Sequence, residues 1–207
     1  MRVKILKNRL IKEKNIEFNV GVEDIEPENR KLINKIGVNN FDLIDIYNLL
    51  EKYNMNININ IIYGLPFMNE NERIESTYNS IRNISKMMPK AKVIIFLMSI
   101  KEHTILEEMY VRGLYKLPNP WGFVYTSKKI FESDDINTIT LYSWFGEKGN
   151  MIKETTCYNC KDCETKIIKT FKILSSELEK KERNKIIDDL LNYGEQAKCD
   201  CLKKLKN

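Results

Sequence analysis

No cysteine occurs before Cys157, and the five that the chain carries lie between Cys157 and Cys201. A cysteine-based site in the first three quarters of the sequence is therefore excluded. There is a single histidine, His103, so the sequence gives no basis for a site built on paired imidazoles. Its place just before a helical stretch makes a helix-start role the expectation. With 8 glycines and 5 prolines in 207 residues, the composition is not that of a low-complexity or linker protein. No apolar run approaches the roughly 20 residues of a membrane span. The opening MRVKILKNRLIKEK is basic but lacks the apolar block and small-residue cleavage site of a secretory signal. A reducing cytoplasm is the expected setting, and clustered cysteines there point to metal more than to disulfides.

What is present fits a globular chain, with 43% hydrophobic and 30% charged residues. The net charge of +5 biases the protein mildly toward anionic partners, nucleic acid among them. Apolar runs at Ile16–Val22, Asn56–Tyr63 and Ala91–Ile100 predict strands, the second by strict alternation. Between and after them, Asn40–Asn54, Asn69–Met88 and Thr104–Arg112 carry apolar residues at helical spacing. Alternation of this kind predicts repeated βα units, with parallel strands inside and helices outside. The two prolines in LPNPWG break the pattern, WGFVYTSKKIFES is compatible with a helix, and NTITLYSWF predicts a fourth strand. Three and a half units make an incomplete barrel or an open sheet. Residues 1–150 are expected to form this part, and 151–207 a helical tail whose stripes Ile167, Phe171, Leu174 and Ile187, Leu190, Leu191 lie between two groups of cysteines.

The cysteine groups are CYNCKDC, with Cys157, Cys160 and Cys163, and CDC, with Cys199 and Cys201. Cys160 and Cys163 have the two-residue separation that lets a thiolate pair turn back onto one ion, and Cys199 with Cys201 completes a four-sulfur shell for zinc. The even spacing of Cys157, Cys160 and Cys163 is also that of three iron–sulfur ligands. Unligated thiols are the third reading.

Glu23 stands just past a predicted strand, where α/β proteins bind ligands, and can accept hydrogen bonds from a ribose or an amine; a carboxylate favoured by a helix dipole explains it equally. Gly64, at the next strand end, permits close approach of a ligand to the backbone or simply a tight turn. The aromatic segment Tyr115–Tyr125 is suited either to stacking on bases or to closing a core.

Taken in order, FNVGVEDIEPENRKLINKI, ININIIYGLPFMNENERIESTYNSI, HTILEEMYVRGLYKLPNPWGF, NCKDC and the closing CDC resemble the C-terminal half of a radical S-adenosylmethionine protein of the Elp3-like group, archaeosine synthase radical subunits in particular. The resemblance implies a partial (βα)6 barrel holding S-adenosylmethionine at the strand ends, with Glu23 near the cofactor and Gly64 in the turn beside it. It implies a tail site of Cys160, Cys163, Cys199 and Cys201, for which zinc is the expected metal, and leaves Cys157 without a counterpart. The implied reaction is radical rearrangement of a lysine-modified deazaguanine in tRNA. This chain does not contain the Cys-x3-Cys-x2-Cys loop that binds the 4Fe–4S cluster. An N-terminal portion carrying that loop is the expected partner, tRNA a further one, and a noncatalytic zinc-stabilised binding module the alternative.

Overall fold

The computed structural model describes residues 16–37, 39–136, 139–141, 151–153, 160–176, 178–202 and 205. In chain order the elements are β1 (Glu17–Glu23), α1 (Pro27–Leu32), α2 (Asn40–Lys52), β2 (Asn56–Tyr63), α3 (Glu70–Met87), β3 (Lys92–Leu97), β4 (Ile100–Lys101), α4 (Ile105–Val111), α5 (Pro120–Glu132), β5 (Ile139–Leu141), β6 (Met151–Lys153), α6 (Lys161–Leu174) and α7 (Lys180–Gln196). Four strands form one parallel sheet in the order β1-β2-β3-β5, and β4 pairs with β6 in a small antiparallel ribbon. The expected α/β architecture of successive βα units followed by a cysteine-bearing helical tail is what the chain adopts.

The alternation in β2 explains the layering. Ile57, Ile59, Ile61 and Tyr63 are buried on the face that meets the helices, in one core with Leu43 and Tyr47 of α2, Ile81 and Ile84 of α3, and Trp121 and Phe123 of α5. Asn58, Asn60 and Ile62 point to the opposite face, in register with Lys92, Ile94 and Phe96 of β3. Each fully buried large side chain contributes about 1.5–3 kcal/mol relative to exposure, which fixes the register of the strand.

Local signals place the helices. Asn69 caps α3 by accepting from Glu72 N at 3.0 Å, while Glu72 accepts from Asn69 N at 2.7 Å, a reciprocal capping box. Asn39 caps α2 through Asp42 N at 2.8 Å. Asn119 caps α5, whose first residue is Pro120, so the LPNPWG stretch starts a helix as well as ending the preceding segment.

That helix settles the aromatic segment. Tyr115, Trp121 and Phe123 are buried, and Phe123 stacks on Phe171 of α6 with centroids 4.7 Å apart. Their rings are core, and stacking on bases is not open to them. Gly194 of α7 lies against Trp121, so both tail helices share the apolar core of the βα part.

Candidate functional site

Two neighbouring acids leave β1 in opposite directions. Asp24 is buried and fully engaged: its carboxylate accepts from Glu26 N at 2.8 Å, Ser80 Oγ at 2.9 Å, Asn29 Nδ2 at 2.9 Å and Ser76 Oγ. Arg30 closes the network by donating to the Asp24 and Ile25 carbonyls, each at 2.8 Å. Burial draws the Arg30 guanidinium below its ordinary value. Asp24 therefore fastens the β1–α1 turn to α3. The available sequence signal for this role was an acid at a strand end, with Ser76 and Ser80 one turn apart in the later helix.

Glu23 instead faces a pocket. Its backbone is left-handed, with φ 68°, and a bulge between Gly21 and Glu23 shifts the pairing with β2. Its carboxylate accepts from Lys35 Nζ at 3.1 Å. A Cβ on Gly21 would stand 2.9 Å from Glu23 Oε1, so this glycine makes room for the ion pair. The pocket, of about 380 Å³, opens at the C-terminal ends of the strands and is lined by Glu23, Asn60, Ile62, Phe96, Met98 and Lys101. The Oδ1 atoms of Asn58 and Asn60 on this sheet face are buried without a hydrogen-bond partner. An unsatisfied buried acceptor costs about 1–3 kcal/mol and marks a place where a donor belongs. Ile62 and Met98 also wall a second, apolar compartment of about 270 Å³ beside Leu65, Phe67, Ile105 and Met109.

Gly64 has a reason other than ligand approach. With φ 105° it needs glycine, and a Cβ there would stand 2.5 Å from Pro118 Cγ. Its carbonyl accepts from Tyr115 Oη at 2.8 Å. What comes close to this backbone is the Tyr115–Pro118 segment. His103 sits one residue before Thr104, the cap of α4, and donates its backbone N–H to Glu107 Oε2 at 2.6 Å, a contact at the helix start made by the main chain.

The tail cysteines converge. Cys160 is the residue before α6, Cys163 is in its first turn, and Cys199 and Cys201 lie just beyond α7. Their four sulfurs all fall within 4.8 Å of one another, and the Cys163 and Cys199 sulfurs are 3.2 Å apart. Cys157 lies outside the described residues. Burial pushes the Cys163 thiol far up, helped by its hydrogen bonds to Cys199 and Cys160, and burial raises Cys201 to about 12. Burial also acts upward on Cys199, but hydrogen bonds from the Cys201 backbone and from Cys163, Cys201 and Cys160 outweigh it and bring Cys199 down to about 7. Four cysteine sulfurs this close together are the arrangement a soft cation completes, thiol protons being displaced as the ion binds.

Buried polar contacts join the tail to the end of β2. Asn119 Nδ2 donates to the Cys201 carbonyl at 3.5 Å, and Asn119 N donates to Glu70 Oε2 at 3.1 Å. Glu70 also accepts from Tyr63 Oη and pairs with Arg73 at 3.3 Å, while Arg73 donates to the Lys116 carbonyl at 2.9 Å and lies over the Tyr115 ring.

Among solved structures, the chain is similar to the archaeal Methanocaldococcus infernus Elp3 with an N-terminal deletion of residues 1–46, with a TM-score of 0.52 and 22% identity. The likeness covers 66% of this chain and 31% of that one, so the chain spans about a third of the length of the protein it matches. At this identity the likeness establishes a common fold. No protein-family model and no curated protein matches the sequence.

Proposed function

We propose that the chain is the C-terminal part of a radical S-adenosylmethionine enzyme of the Elp3-like group, acting on a deazaguanine base of tRNA in an archaeosine-type modification. A separate portion with a Cys-x3-Cys-x2-Cys loop supplies the 4Fe–4S cluster. The observation that carries this reading is the placement of Glu23 and the orphaned Asn60 Oδ1 at one pocket beyond the C-terminal ends of parallel strands. The fold likeness to an Elp3 supports it.

The pocket residues fit the cofactor's polar groups. Glu23, held by Lys35, accepts from an ammonium, Asn60 Oδ1 accepts from a hydroxyl or amine, and Ile62 and Phe96 wall the space against water. S-adenosylmethionine, when bound beside a reduced cluster, supplies the radical that takes hydrogen from the substrate. This chain contributes binding, orientation and exclusion of water.

The tail site fits zinc. Four thiolates at about 2.3 Å from one ion stand about 3.8 Å apart in a tetrahedron. The sulfurs here, within 4.8 Å of one another, need only small shifts to reach that spacing. A four-iron cube would hold them farther apart. With all four positions taken by protein, such an ion is structural and contributes folding energy.

A second reading, a noncatalytic zinc-stabilised nucleotide- or tRNA-binding module, is supported by the four-cysteine group of the tail. The experiment that separates the two uses protein purified without oxygen, alone and mixed with a portion bearing the cluster loop. Production of 5′-deoxyadenosine by the mixture only, with about one zinc per chain, is the expected result. Cofactor or tRNA binding without cleavage in the mixture selects the module. Broad visible absorbance from this chain alone overturns the zinc assignment in favour of a tail cluster.

A further inference from the structure

We infer that Asn119 is a positioning residue through which the tail metal sets the turn at the end of β2, residues 64–69. The inference rests on the zinc reading above and adds a regulation of the strand-end site.

Asn119 is 4% exposed, and its amide nitrogen, amide oxygen and backbone N–H engage three different parts of the chain. Its Nδ2 donates to the carbonyl of Cys201, itself one of the four clustered cysteines, at 3.5 Å. Its Oδ1 accepts from Trp121 N at 3.0 Å and starts α5. Its backbone N–H donates to Glu70 Oε2 at 3.1 Å. Beyond Glu70 the contacts branch and meet again at the turn: Tyr63 ends β2 and donates to Glu70, and Arg73 fixes the Lys116 carbonyl and the Tyr115 ring. Tyr115 in turn donates to the Gly64 carbonyl at 2.8 Å.

The groups beyond Asn119 are closely packed. Tyr63, Tyr115 and Arg73 are all at least nine-tenths buried. Gly122 faces Tyr63 Oη and the Glu70 carboxylate without room for a Cβ, and Gly64 faces Pro118 in the same way. A shift of Cys201 on metal release pulls on the Asn119 amide, whose oxygen is held by Trp121 N and whose backbone N–H is held by Glu70. Packed interiors pass such a shift on. The turn it reaches carries Leu65 and Phe67, which wall the apolar compartment next to the Glu23 pocket.

Coupling of this kind is reciprocal, so the far end must influence the metal. Glu70→Gln places a group that is half donor where Tyr63, Arg73 and Asn119 all donate, and so it breaks the relay far from the sulfurs. Asn119→Ser keeps a good helix cap but does not reach Cys201. The experiment measures zinc affinity of the full chain by competition with a chromogenic chelator for wild type, both single variants and the double variant. It also measures hydrogen exchange of peptides covering 64–69 with and without zinc, using β2 and β3 peptides as the folding control.

Each single variant is expected to weaken zinc about fivefold or more, with no further loss in the double. Zinc removal is expected to speed exchange of the turn about tenfold in wild type, and in Asn119→Ser the turn is expected to exchange fast whether or not zinc is bound. Should Glu70→Gln lose strand protection, Tyr63→Phe, which removes one donor to the same carboxylate, takes its place. Wild-type zinc affinity in the far-end variant, independent effects in the double, or a wild-type turn indifferent to zinc overturns the inference while leaving the zinc site intact. A chain that binds no zinc overturns the metal reading itself.

Discussion

Gly194 and Trp121 meet with no side chain between them: a Cβ on Gly194 would stand 2.8 Å from Trp121 Cζ3 and closer still to Cη2. A glycine inside α7 costs helix stability, yet here it lets the helix approach an indole with no exposed surface. Gly194→Ala is accordingly expected to lose about 1–3 kcal/mol despite its better helix propensity. Urea unfolding checks this; a midpoint at or above that of wild type means the helix does not sit where described.

Gly64 and Gly113 both have positive φ, 105° and 72°, but only Gly64 has a neighbour within reach of a Cβ. Alanine at Gly113 is expected to cost about 1 kcal/mol, the strain of the left-handed backbone alone. Alanine at Gly64 adds the clash with Pro118 and is expected to cost about 3 kcal/mol or more. The difference between the two thermal midpoints is the measurement, and equal losses would remove the role given to Pro118.

The two acids at the end of β1 should separate function from fold. Asp24→Ala is expected to destabilise by about 3 kcal/mol or more, because it strips four donors of their acceptor in a buried place. Glu23→Gln is expected to leave the unfolding midpoint close to wild type. Calorimetric titration should then show S-adenosylmethionine binding weakened about tenfold. Glu23→Gln with full affinity would take the pocket reading away from this residue.

Alkaline pH should unfold the protein through its buried phenols. Burial raises Tyr63, with Glu70 adding to the shift, and burial raises Tyr115. In the folded chain both stay protonated above their ordinary value near 10, whereas the unfolded chain gives up those protons. Their stabilisation is complete below about pH 10 and is lost as pH rises beyond it, at about 1.4 kcal/mol per pH unit for each tyrosine. Tyr115→Phe should remove one tyrosine's share, about 1.4 kcal/mol per pH unit, from the pH dependence of unfolding measured between about pH 10.5 and 11.5. An unchanged slope would mean that the phenol titrates as if in water.

Much of the βα part was readable because its signals are local. The alternation of Asn56–Tyr63 and the capping residues Asn39 and Asn69 set β2, α2 and α3 to within a few residues of their expected limits. The short α1 and the β4–β6 ribbon were not foreseen, since six residues make less than two helical turns, and the ribbon's strands of two and three residues pair across about fifty positions. The convergence of Cys160, Cys163, Cys199 and Cys201 matches the grouping their spacing suggested. The link from Cys201 through Asn119 to Glu70 was out of reach of the sequence. Each of its members is an ordinary polar residue, and only the fold reveals that they touch. Gly64 shows the same limit in reverse: its conformational role was legible, and the neighbour that demands it was not.

Gly64, Gly122 and Gly194 come from three separate stretches of sequence, yet each marks a place where one layer meets the next without a methyl group's width to spare. Evolutionary drift and laboratory libraries should therefore respect this line through the molecule more strictly than the chemistry it supports. A saturation screen scored only on soluble expression would find marked intolerance there, while Glu23 itself accepted most replacements.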